Sequence, residues 1–562
     1  MLLVFGPRST DYDFGPDHVL TPRRFGPGID LLRAVGAGPG LAPDPAPDAD
    51  LRLCHVQEYI EVVRRFSVDP FGPMEAGIGW GDNPPFADMH EASAAVAGGS
   101  MRAMEAILDG RVEHAFHPGG GLHHAMRARA SGFCIYNDPA LAIARARRDG
   151  LRVMYIDLDV HHGDGVQALF WEDPGVLTFS IHESGRYLFP GTGDVDEVGD
   201  GASAGTVVNV PLPPYTGEAA WYPIVESYLP ALAAAFGPDL IVSQHGADSH
   251  GWDPLAHLHV TTTAHGKAAR LIDALAHQFG GGRWLATGGG GYDAYRVVPR
   301  TWALTWLAGA HREVPSATPE AWRARWADEA ARYGQAPLPE RFDDEPNAGI
   351  PYDLTQEASE QRALALAAIH RSVVLPRLLQ VAIEEGWWSP LASAEAQPAS
   401  AADATGEPTI MPTVDAETWS RLTLLPRVIA PADPVLGHRL VAAALRDGGS
   451  AIVSAAVAGS DVVGLAVSAP ADPTDGTREL LALGVAPDHR RRGIATALLK
   501  VHALSGSFAV VTLAERDPID PLPRQVRAAI ARRLLGGAGL EISGADDAVR
   551  SIDPSAVRAQ MR

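Results

Sequence analysis

The sequence predicts an α/β protein built on a parallel sheet and followed by a second, smaller domain. Apolar β-branched runs such as 152–156 and 240–243 alternate with Ala/Leu/Arg-rich stretches such as 138–148 and 222–236. This alternation is typical of parallel strands covered by helices on both faces. The 562 residues are 46% apolar and 20% charged, which are values of a folded chain with a large core.

A change in composition predicts where the first domain ends. Residues 391–420 are small and polar and include three prolines, so they cannot bury enough apolar area to order themselves. Residues 421–562 carry 17 basic and 14 acidic side chains, whereas the whole chain has a net charge of −22. We therefore predict domains at 1–390 and 421–562, joined by a flexible linker at 391–420.

Charge and cysteine content exclude several classes of function. The net charge of −22 repels the phosphates of nucleic acids and of anionic membranes. No run of 18 uninterrupted apolar residues is found, and Cys54 and Cys134 cannot form a disulfide framework. The first residues have too short an apolar run for a signal peptide. We expect a cytoplasmic protein with neither a nucleic acid nor a membrane as partner.

Two predicted strands end in side chains that bind metals. The run RVMYIDLDVHHGDG places Asp159 and His161 two residues apart, so both point to the same side of an extended segment. The second strand end, DLIVSQHGADSHGWD, offers Asp248. Three such ligands leave a position open for water on a catalytic zinc ion. Because two of the three are carboxylates, Fe(II) or Mn(II) is an alternative.

A glycine-rich loop and a third strand end carry groups suited to proton transfer. His123 and His124 follow a glycine run, and adjacent imidazoles suit two different proton roles. Each requires a carboxylate to fix its tautomer, and Asp157 and Asp164 are available in the metal-binding run. The segment TGGGGYD ends in Tyr292, whose phenol can polarise a carbonyl. A phosphate-binding P-loop is excluded, because no Lys-Ser/Thr pair follows these glycines.

Six motifs together resemble the zinc-dependent histone deacetylase superfamily: HPGGGLHHA, GFCIYND, DLDVHHGDG, SIHESGRYLFPGTGDV, QHGADSHGWDP and TGGGGYD. The resemblance covers residues 1 to about 390 and is closest to the acetoin-utilization branch, because DYDFGPDHVLTPRRF and GIGWGDNPPF also match. It implies an arginase-like α/β fold and hydrolysis of an acetylated amine to acetate and the free amine. The implied roles are zinc ligands (Asp159, His161, Asp248), general base and acid (His124 with Asp164), electrostatic partner (His123 with Asp157) and oxyanion donor (Tyr292).

The same resemblance implies a substrate channel for acetyl-lysine in a peptide or protein. Phe133 and Phe189 match its aromatic walls, Leu255 matches a rim position, and Asp82 matches the residue that holds the substrate backbone. A polyamine-selective relative is expected to carry an acid at the rim, so Leu255 favours a lysine-like substrate, and deacetylation of polyamines or other small amides is the alternative. The branch suggests an acyl-CoA synthetase as target. A monovalent cation, K⁺, is expected at Ser180 and the backbone around Asp157 and Asp159.

The C-terminal domain contains a phosphate-binding pattern. RELLALGVAPDHRRRGIATALLKVHAL reads as a strand, a basic loop and a helix whose free N–H groups suit a phosphate. The loop resembles the pyrophosphate loop of GNAT N-acetyltransferases, an α+β family, and the preceding AIVSAAVAGSDVVGLAVSA resembles the paired strands of that fold. The resemblance implies acetyl-CoA binding at Val485, Arg490, Arg491, Arg492, Gly493, Ile494 and Ala495.

The sequence does not decide whether the C-terminal domain is catalytic. GNAT enzymes often use a tyrosine as general acid near the last helix, but the final tyrosine is Tyr352 and Leu535 or a neighbour occupies that region. Glu479 is a candidate base acting through water. Two hypotheses follow for the chain: a bifunctional regulator of reversible acetylation, or a deacetylase gated by a non-catalytic acetyl-CoA sensor.

Overall fold

The structure, a computed structural model, describes residues 1–346 and 350–387 in full and, beyond them, five strands by their backbone. The chain divides into two compact units, Met1–Ala367 and Ala368–Arg562. This division lies inside a helix that spans Leu354–Glu384. The boundary proposed at residue 390 remains a prediction.

The first unit contains a seven-stranded sheet in which every pair of neighbours is parallel. The strand order is β1-β2-β7-β6-β3-β4-β5. The strands are β1 (Leu2–Leu3), β2 (His114–His117), β3 (Val153–Asp157), β4 (Val176–Glu183), β5 (Val207–Leu212), β6 (Leu240–Gln244) and β7 (Trp284–Thr287). The parallel sheet predicted from the alternating runs is thereby confirmed.

Eleven α-helices are found in the fully described residues. They are α1 (Phe25–Ala34), α2 (Asp48–Leu51), α3 (Gln57–Val68), α4 (Met89–Leu108), α5 (Asp138–Arg148), α6 (Asp164–Leu169), α7 (Glu218–Phe236), α8 (Thr262–Phe279), α9 (Val298–Gly309), α10 (Glu320–Arg332) and α11 (Leu354–Glu384). Helix α5 begins where a sequence rule predicts: the Asn137 side chain accepts a hydrogen bond from Ala140 N, and Pro139 occupies its first turn.

Both faces of the central strands are buried. Val153 and Tyr155 of β3 belong to a core cluster that also contains apolar residues of α3, α4 and α5. The alternate residues Met154 and Ile156 point to the opposite face and are fully buried as well. A parallel sheet needs this double cover, which explains its continuous apolar runs.

The second sheet belongs to the C-terminal part of the chain. Its order is β12-β11-β10-β9-β8. The strands are β8 (Thr409–Met411), β9 (Ile452–Ala458), β10 (Asp461–Pro470), β11 (Thr477–Val485) and β12 (Ser507–Val510). β9 and β10 form the antiparallel pair expected from the sequence, and β11 pairs with β12 in parallel. β8 lies within the range predicted as linker.

Helix α11 is long and apolar enough, over Leu354–Ala382, to pass a composition test for a membrane span. Of the 18-residue window that passes, 44% is buried inside the protein. Core helices of soluble proteins pass the same test, so this helix alone is weak evidence for a membrane.

Candidate active site

The carboxyl ends of four adjacent strands bring the predicted site residues together. β3 is followed by Asp159 and His161, and β6 is followed by Asp248. The histidine pair follows β2, and Tyr292 follows β7. Because neighbouring parallel strands end at the same edge of a sheet, residues more than a hundred positions apart in sequence meet there.

Asp159, His161 and Asp248 form a buried triad. Their nearest ligand atoms all lie within 4.8 Å of one another. His161 Nδ1 is 3.0 Å from Asp159 Oδ1 and 3.1 Å from Asp248 Oδ2. Two buried carboxylates facing one imidazole leave excess negative charge, which a divalent cation would neutralise. The donor set and its arrangement fit the three protein ligands of a catalytic zinc site.

Polar groups behind the triad hold the carboxylates in position. Asp159 Oδ2 accepts hydrogen bonds from Gln244 Nε2 at 2.6 Å and from Gly290 N at 2.8 Å. Asp248 Oδ1 accepts one from Val160 N at 2.9 Å. A Cβ atom at Gly290 would lie 1.9 Å from Asp248 Oδ2, so the glycine run allows the backbone to approach the triad. Gln244 was not predicted as a functional residue, although it begins the motif QHGADSHGWDP.

Each histidine of the pair has its own carboxylate. His123 Nδ1 lies 2.8 Å from Asp157 Oδ2, and His124 Nδ1 lies 2.7 Å from Asp164 Oδ1. Carboxylates only accept, so both Nδ1 atoms carry the proton. The two Nε2 atoms are 3.0 Å apart. This pairing is the one expected from the sequence.

The two imidazoles differ in basicity. Burial lowers the pKa of His123, but the charges of Asp157 and Asp159 outweigh it and raise that pKa to about 9. Burial and then the charge of His123 lower the pKa of His124 to about 4. The pair therefore holds one charged and one neutral ring, and the charged His123 donates its Nε2–H to Nε2 of the neutral His124. This Nε2 carries the one basic lone pair of the two rings, so a proton can be accepted there when that hydrogen bond is exchanged.

Tyr292 lies against the triad in the wall of the same cavity. Burial, followed by the charges of Asp248 and Asp159, raises the pKa of Tyr292 well above its ordinary value. The phenol therefore stays protonated at neutral pH and can donate a hydrogen bond. Asp253 positions this residue, because its carboxylate accepts from Tyr292 N at 2.8 Å and from Leu255 N at 3.0 Å.

Two long-range contacts missed by sequence analysis fix the glycine-rich loops. Asp138, at the start of α5, accepts hydrogen bonds from Leu122 N at 2.8 Å and from Gly121 N at 3.0 Å, next to His123. Arg24 is 4% exposed and donates from Nη1 to Gly289 O at 2.7 Å. The motif LTPRRF contains Arg24, but nothing in the sequence indicates its partner 265 positions away.

The cavity has aromatic and apolar walls. The ring of Phe133 lies edge-on to Tyr292 at 6.0 Å, and the ring of Phe189 lies edge-on to His124 at 5.0 Å. Phe133 and Tyr292 line the cavity, whereas Phe189, predicted as a wall, is exposed and is not among the lining residues. The other lining residues are Leu20, Gly121, Leu122, Gly132, Cys134, Gly289 and Gly290, together with the triad and pair residues His123, His124, Asp159 and His161. Leu20 and Cys134 were not predicted as lining residues from the sequence.

Some of the other predicted residues are described by the structure, and the rest lie outside the described part of the chain. Leu255 is half-buried beside Asp253, and Asp82 is exposed, with its carbonyl oxygen 3.3 Å from His18 Nε2. The Ser180 hydroxyl is buried and 2.9 Å from His182 Nδ1, and the K⁺ site there remains a prediction. Glu479 and Val485 lie on β11. Outside the described residues are Arg490, Arg491, Arg492, Gly493, Ile494, Ala495 and Leu535.

Comparison with known proteins adds to this geometry. Residues 18–308 match the histone deacetylase domain, and residues 419–502 match the acetyltransferase (GNAT) family. The acetoin utilization protein AcuC of Bacillus subtilis is 40% identical over 369 residues, which are 64% of this chain and 94% of that protein. The corresponding protein of Staphylococcus xylosus is 34% identical over 365 residues, again 64% of this chain and 94% of its own.

Solved structures give the same result for the fold. A crystal structure of an HDAC homolog complexed with SAHA superposes with a TM-score of 0.56 at 30% identity, covering 65% of this chain and 99% of that one. An HDAC homolog from Aquifex aeolicus gives a TM-score of 0.55 at 29% identity, also over 65% of this chain and 99% of its own.

Proposed function

The chain belongs to the histone deacetylase family and carries a GNAT domain after it, and from this premise we propose that residues 1–390 are a zinc-dependent deacetylase of acetyl-lysine in peptides or proteins. The observation that supports this most strongly is one cavity lined by Asp159, His161, the histidine pair and Tyr292, with Asp248 beside them.

Asp159, His161 and Asp248 would hold the metal. A bound zinc ion supplies Lewis-acid polarisation of the amide carbonyl and lowers the pKa of water toward about 7. The hydrogen bonds from Gln244, Gly290 and Val160 keep the two carboxylates in place.

His124 is the group suited to move protons. Its Nδ1–H is held by Asp164, so its Nε2 accepts a proton from the attacking water and later gives a proton to the leaving amine. The charged His123 beside it keeps His124 neutral before reaction and stabilises negative charge that develops on the substrate. Tyr292, kept protonated, donates to the oxyanion that forms from the amide carbonyl.

The walls favour a slender apolar stem between the acetyl group and the solvent. Phe133 lines the cavity beside Tyr292, and the exposed ring of Phe189 lies beside His124. Leu255, which the family resemblance assigns to the rim, carries no charge, and the neighbouring Asp253 is buried and accepts from two backbone N–H groups. A polyamine would bring a second cation toward Leu255, where no exposed carboxylate of these two residues meets it.

The test of substrate class compares acetyl-lysine peptides with acetylspermidine. We expect the full-length chain to release acetate from the peptides with the higher kcat/KM. Leu255→Glu should shift the ratio toward acetylspermidine, whereas Leu255→Met, which keeps the rim apolar, should leave it unchanged. Turnover of acetylspermidine alone would overturn the lysine assignment and favour the small-amide alternative.

The test of metal dependence uses chelation and restoration. Acetate release should be lost after chelation and return with Zn²⁺, with Fe²⁺ and Mn²⁺ as parallel arms. Asp248→Asn removes one of the two carboxylates of the metal site. After addition of Zn²⁺, this variant should recover less than a hundredth of the wild-type activity. Full activity of the chelated chain would contradict a metal-dependent reaction.

We further propose that residues 421–562 bind acetyl-CoA at Val485 and the loop from Arg490 to Ala495 and transfer its acetyl group. Support comes from the GNAT match at 419–502 and from the antiparallel β9–β11 strands followed by the parallel partner β12. Glu479 on β11 is the proposed base. Because acetyl-CoA is a cytoplasmic metabolite, we place the protein in the cytoplasm.

Opposed activities in one chain would make the protein a regulator of reversible acetylation, with an acyl-CoA synthetase as proposed target. Labelled acetyl-CoA distinguishes this from the sensor alternative. With Tyr292→Phe suppressing hydrolysis, label should appear on lysines of the target. If no label is transferred and acetyl-CoA instead changes acetate release by the wild type, the domain is a sensor.

A further inference from the structure

A second cluster of metal-binding side chains lies away from the candidate active site. It consists of His114, Asp273, His277 and His311, and one ligand atom from each lies within 4.8 Å of every other. His114 begins β2, so the cluster is at the amino end of a strand whose carboxyl end leads to the histidine pair. We call these four residues the amino-edge cluster.

Three separate elements supply the four side chains. Asp273 and His277 are four residues apart on α8 and therefore lie on one face of that helix. His311 follows the end of α9 and has a φ of 52°. His114 is 3% exposed, whereas the His277 and His311 side chains are 40% and 53% exposed. One wall of the cluster is thus buried and the other is open to ions from solvent.

Hydrogen bonding fixes the tautomer of the buried member. His114 Nδ1 lies 2.8 Å from Gly309 O, and a carbonyl only accepts, so Nδ1 carries the proton. The other ring nitrogen, Nε2, is buried and faces Asp273 Oδ1 at 3.6 Å, which is beyond hydrogen-bond distance. Within the part of the chain that the structure describes, this Nε2 has no hydrogen-bond partner.

Protons satisfy the remaining atoms only in part. His311 Nε2 is 3.2 Å from both His277 Nε2 and Asp273 Oδ1. One Nε2–H of His311 can be shared between these two acceptors in a three-centre hydrogen bond. In the described part of the chain, this arrangement still leaves His114 Nε2 without a partner.

A cation at the centre would use all four lone pairs. Tetrahedral Zn²⁺ with bonds of about 2.0–2.1 Å places its donor atoms about 3.3 Å apart. Four of the six separations are 3.2 Å for His277–His311 and His311–Asp273, 3.6 Å for His114–Asp273 and 3.8 Å for His277–Asp273, and the two between His114 and the other imidazoles are within 4.8 Å. The contact from Gly309 O to His114 is the type of outer hydrogen bond that orients a metal-bound imidazole.

We propose that the amino-edge cluster is a second metal site that binds one Zn²⁺ through three imidazoles and one carboxylate. Four protein ligands close the coordination sphere, so the site is structural and not catalytic. It joins the start of β2, the last turns of α8 and the segment after α9, which are elements that enter or leave the amino edge of the sheet.

The experiment measures Co²⁺ and Zn²⁺ binding to the tag-free full-length chain. In the Asp248→Asn background, which weakens the catalytic triad, one Co²⁺ should bind with the visible absorption of a tetrahedral site and should be displaced by Zn²⁺. Adding His277→Ala or His311→Ala should weaken this Co²⁺ binding at least tenfold. Gln278→Ala, an exposed neighbour on α8, is the matched control and should leave it unchanged.

A second measurement is made without the Asp248→Asn substitution, so it does not depend on the folding of that variant. There, His277→Ala should lower the number of tightly bound Zn²⁺ ions by one and reduce the rise in Tm on Zn²⁺ addition, while acetate release by the zinc-loaded chain stays unchanged. Equal stoichiometry and equal Co²⁺ spectra in wild type and His277→Ala would overturn the second site without affecting the proposed deacetylase.

Discussion

At the scale of single residues, the proton on His124 depends on Asp164. Their 2.7 Å contact fixes the proton on Nδ1 and thereby leaves the basic lone pair on Nε2. In Asp164→Asn, the amide no longer favours this tautomer over the other, so we expect kcat to fall about 10²- to 10⁴-fold, the usual contribution of acid–base catalysis. Steady-state kinetics with an acetyl-lysine peptide would measure this.

Asp149→Asn is the control for this change, because that carboxylate is exposed, follows the end of α5 and forms an ion pair with Arg145 of that helix. Bound zinc should be equal in wild type and both variants. An unchanged kcat in Asp164→Asn would remove His124 as the acid and base.

Functional residues could be predicted from the sequence where several of them stand together in one motif. Asp159 and His161 share a strand end, and His123 and His124 are adjacent, so composition alone points to them. Arg24 and Asp138 could not be predicted in the same way, because their roles arise from contacts with the glycine loops at Gly289 and Gly121 that only the fold creates.

At the scale of elements, α1 and α9 pack so closely at one position of α1 that a glycine is required there. A Cβ atom at Gly28 would lie 2.5 Å from the buried ring of Trp302. We expect Gly28→Ala to destabilise the protein by about 1–3 kcal/mol, the usual cost of overpacking a core, despite the better helix propensity of alanine. Urea denaturation followed by tryptophan fluorescence would show a lower midpoint.

Gly38→Ala is the matched control, since a Cβ atom there meets nothing within 4 Å. Its midpoint should equal that of the wild type. A Gly28→Ala chain as stable as this control would show that α1 and α9 are more loosely packed than described.

Elements with a strong local signal were predictable from sequence. Helix α5 has the predicted bounds 138–148, because Asn137, Pro139 and the basic last turn all mark its ends. Helix α7 begins four residues before the predicted 222–236, and Pro223 and Pro230 inside it weaken its sequence signal. The order of the seven strands follows from pairing across the sheet, which local patterns do not contain.

At the scale of the whole molecule, the proposal of a deacetylase site and a separate acetyl-CoA site predicts that each can be lost without the other. In Gly493→Asp, a carboxylate at the proposed helix start would repel the pyrophosphate of acetyl-CoA. We expect acetyl-CoA affinity, measured by calorimetry, to fall at least tenfold, while acetate release without acetyl-CoA stays unchanged. Gly448→Asp, outside the loop motif, is the control, and equal affinity in both variants would place acetyl-CoA elsewhere.

The amino-edge cluster shows what sequence alone leaves out at this scale. His114, Asp273, His277 and His311 span almost two hundred positions, and only the i, i+4 pair on α8 is close in sequence. An isolated pair of this kind is common on helix surfaces. The fold brings the other two imidazoles to it, and the buried, unpartnered Nε2 of His114 then indicates a ligand.

The central claim is that one cavity hydrolyses acetyl-lysine through a metal, His124 and Tyr292. The most direct measurement is acetate release from an acetyl-lysine peptide by wild type, His124→Ala and Tyr292→Phe, each loaded with Zn²⁺. We expect robust turnover by the wild type. The rate of acetate release should fall by about 10²-fold or more in both variants, with zinc content unchanged. No turnover by the zinc-loaded wild type, or turnover that survives both substitutions, would contradict it.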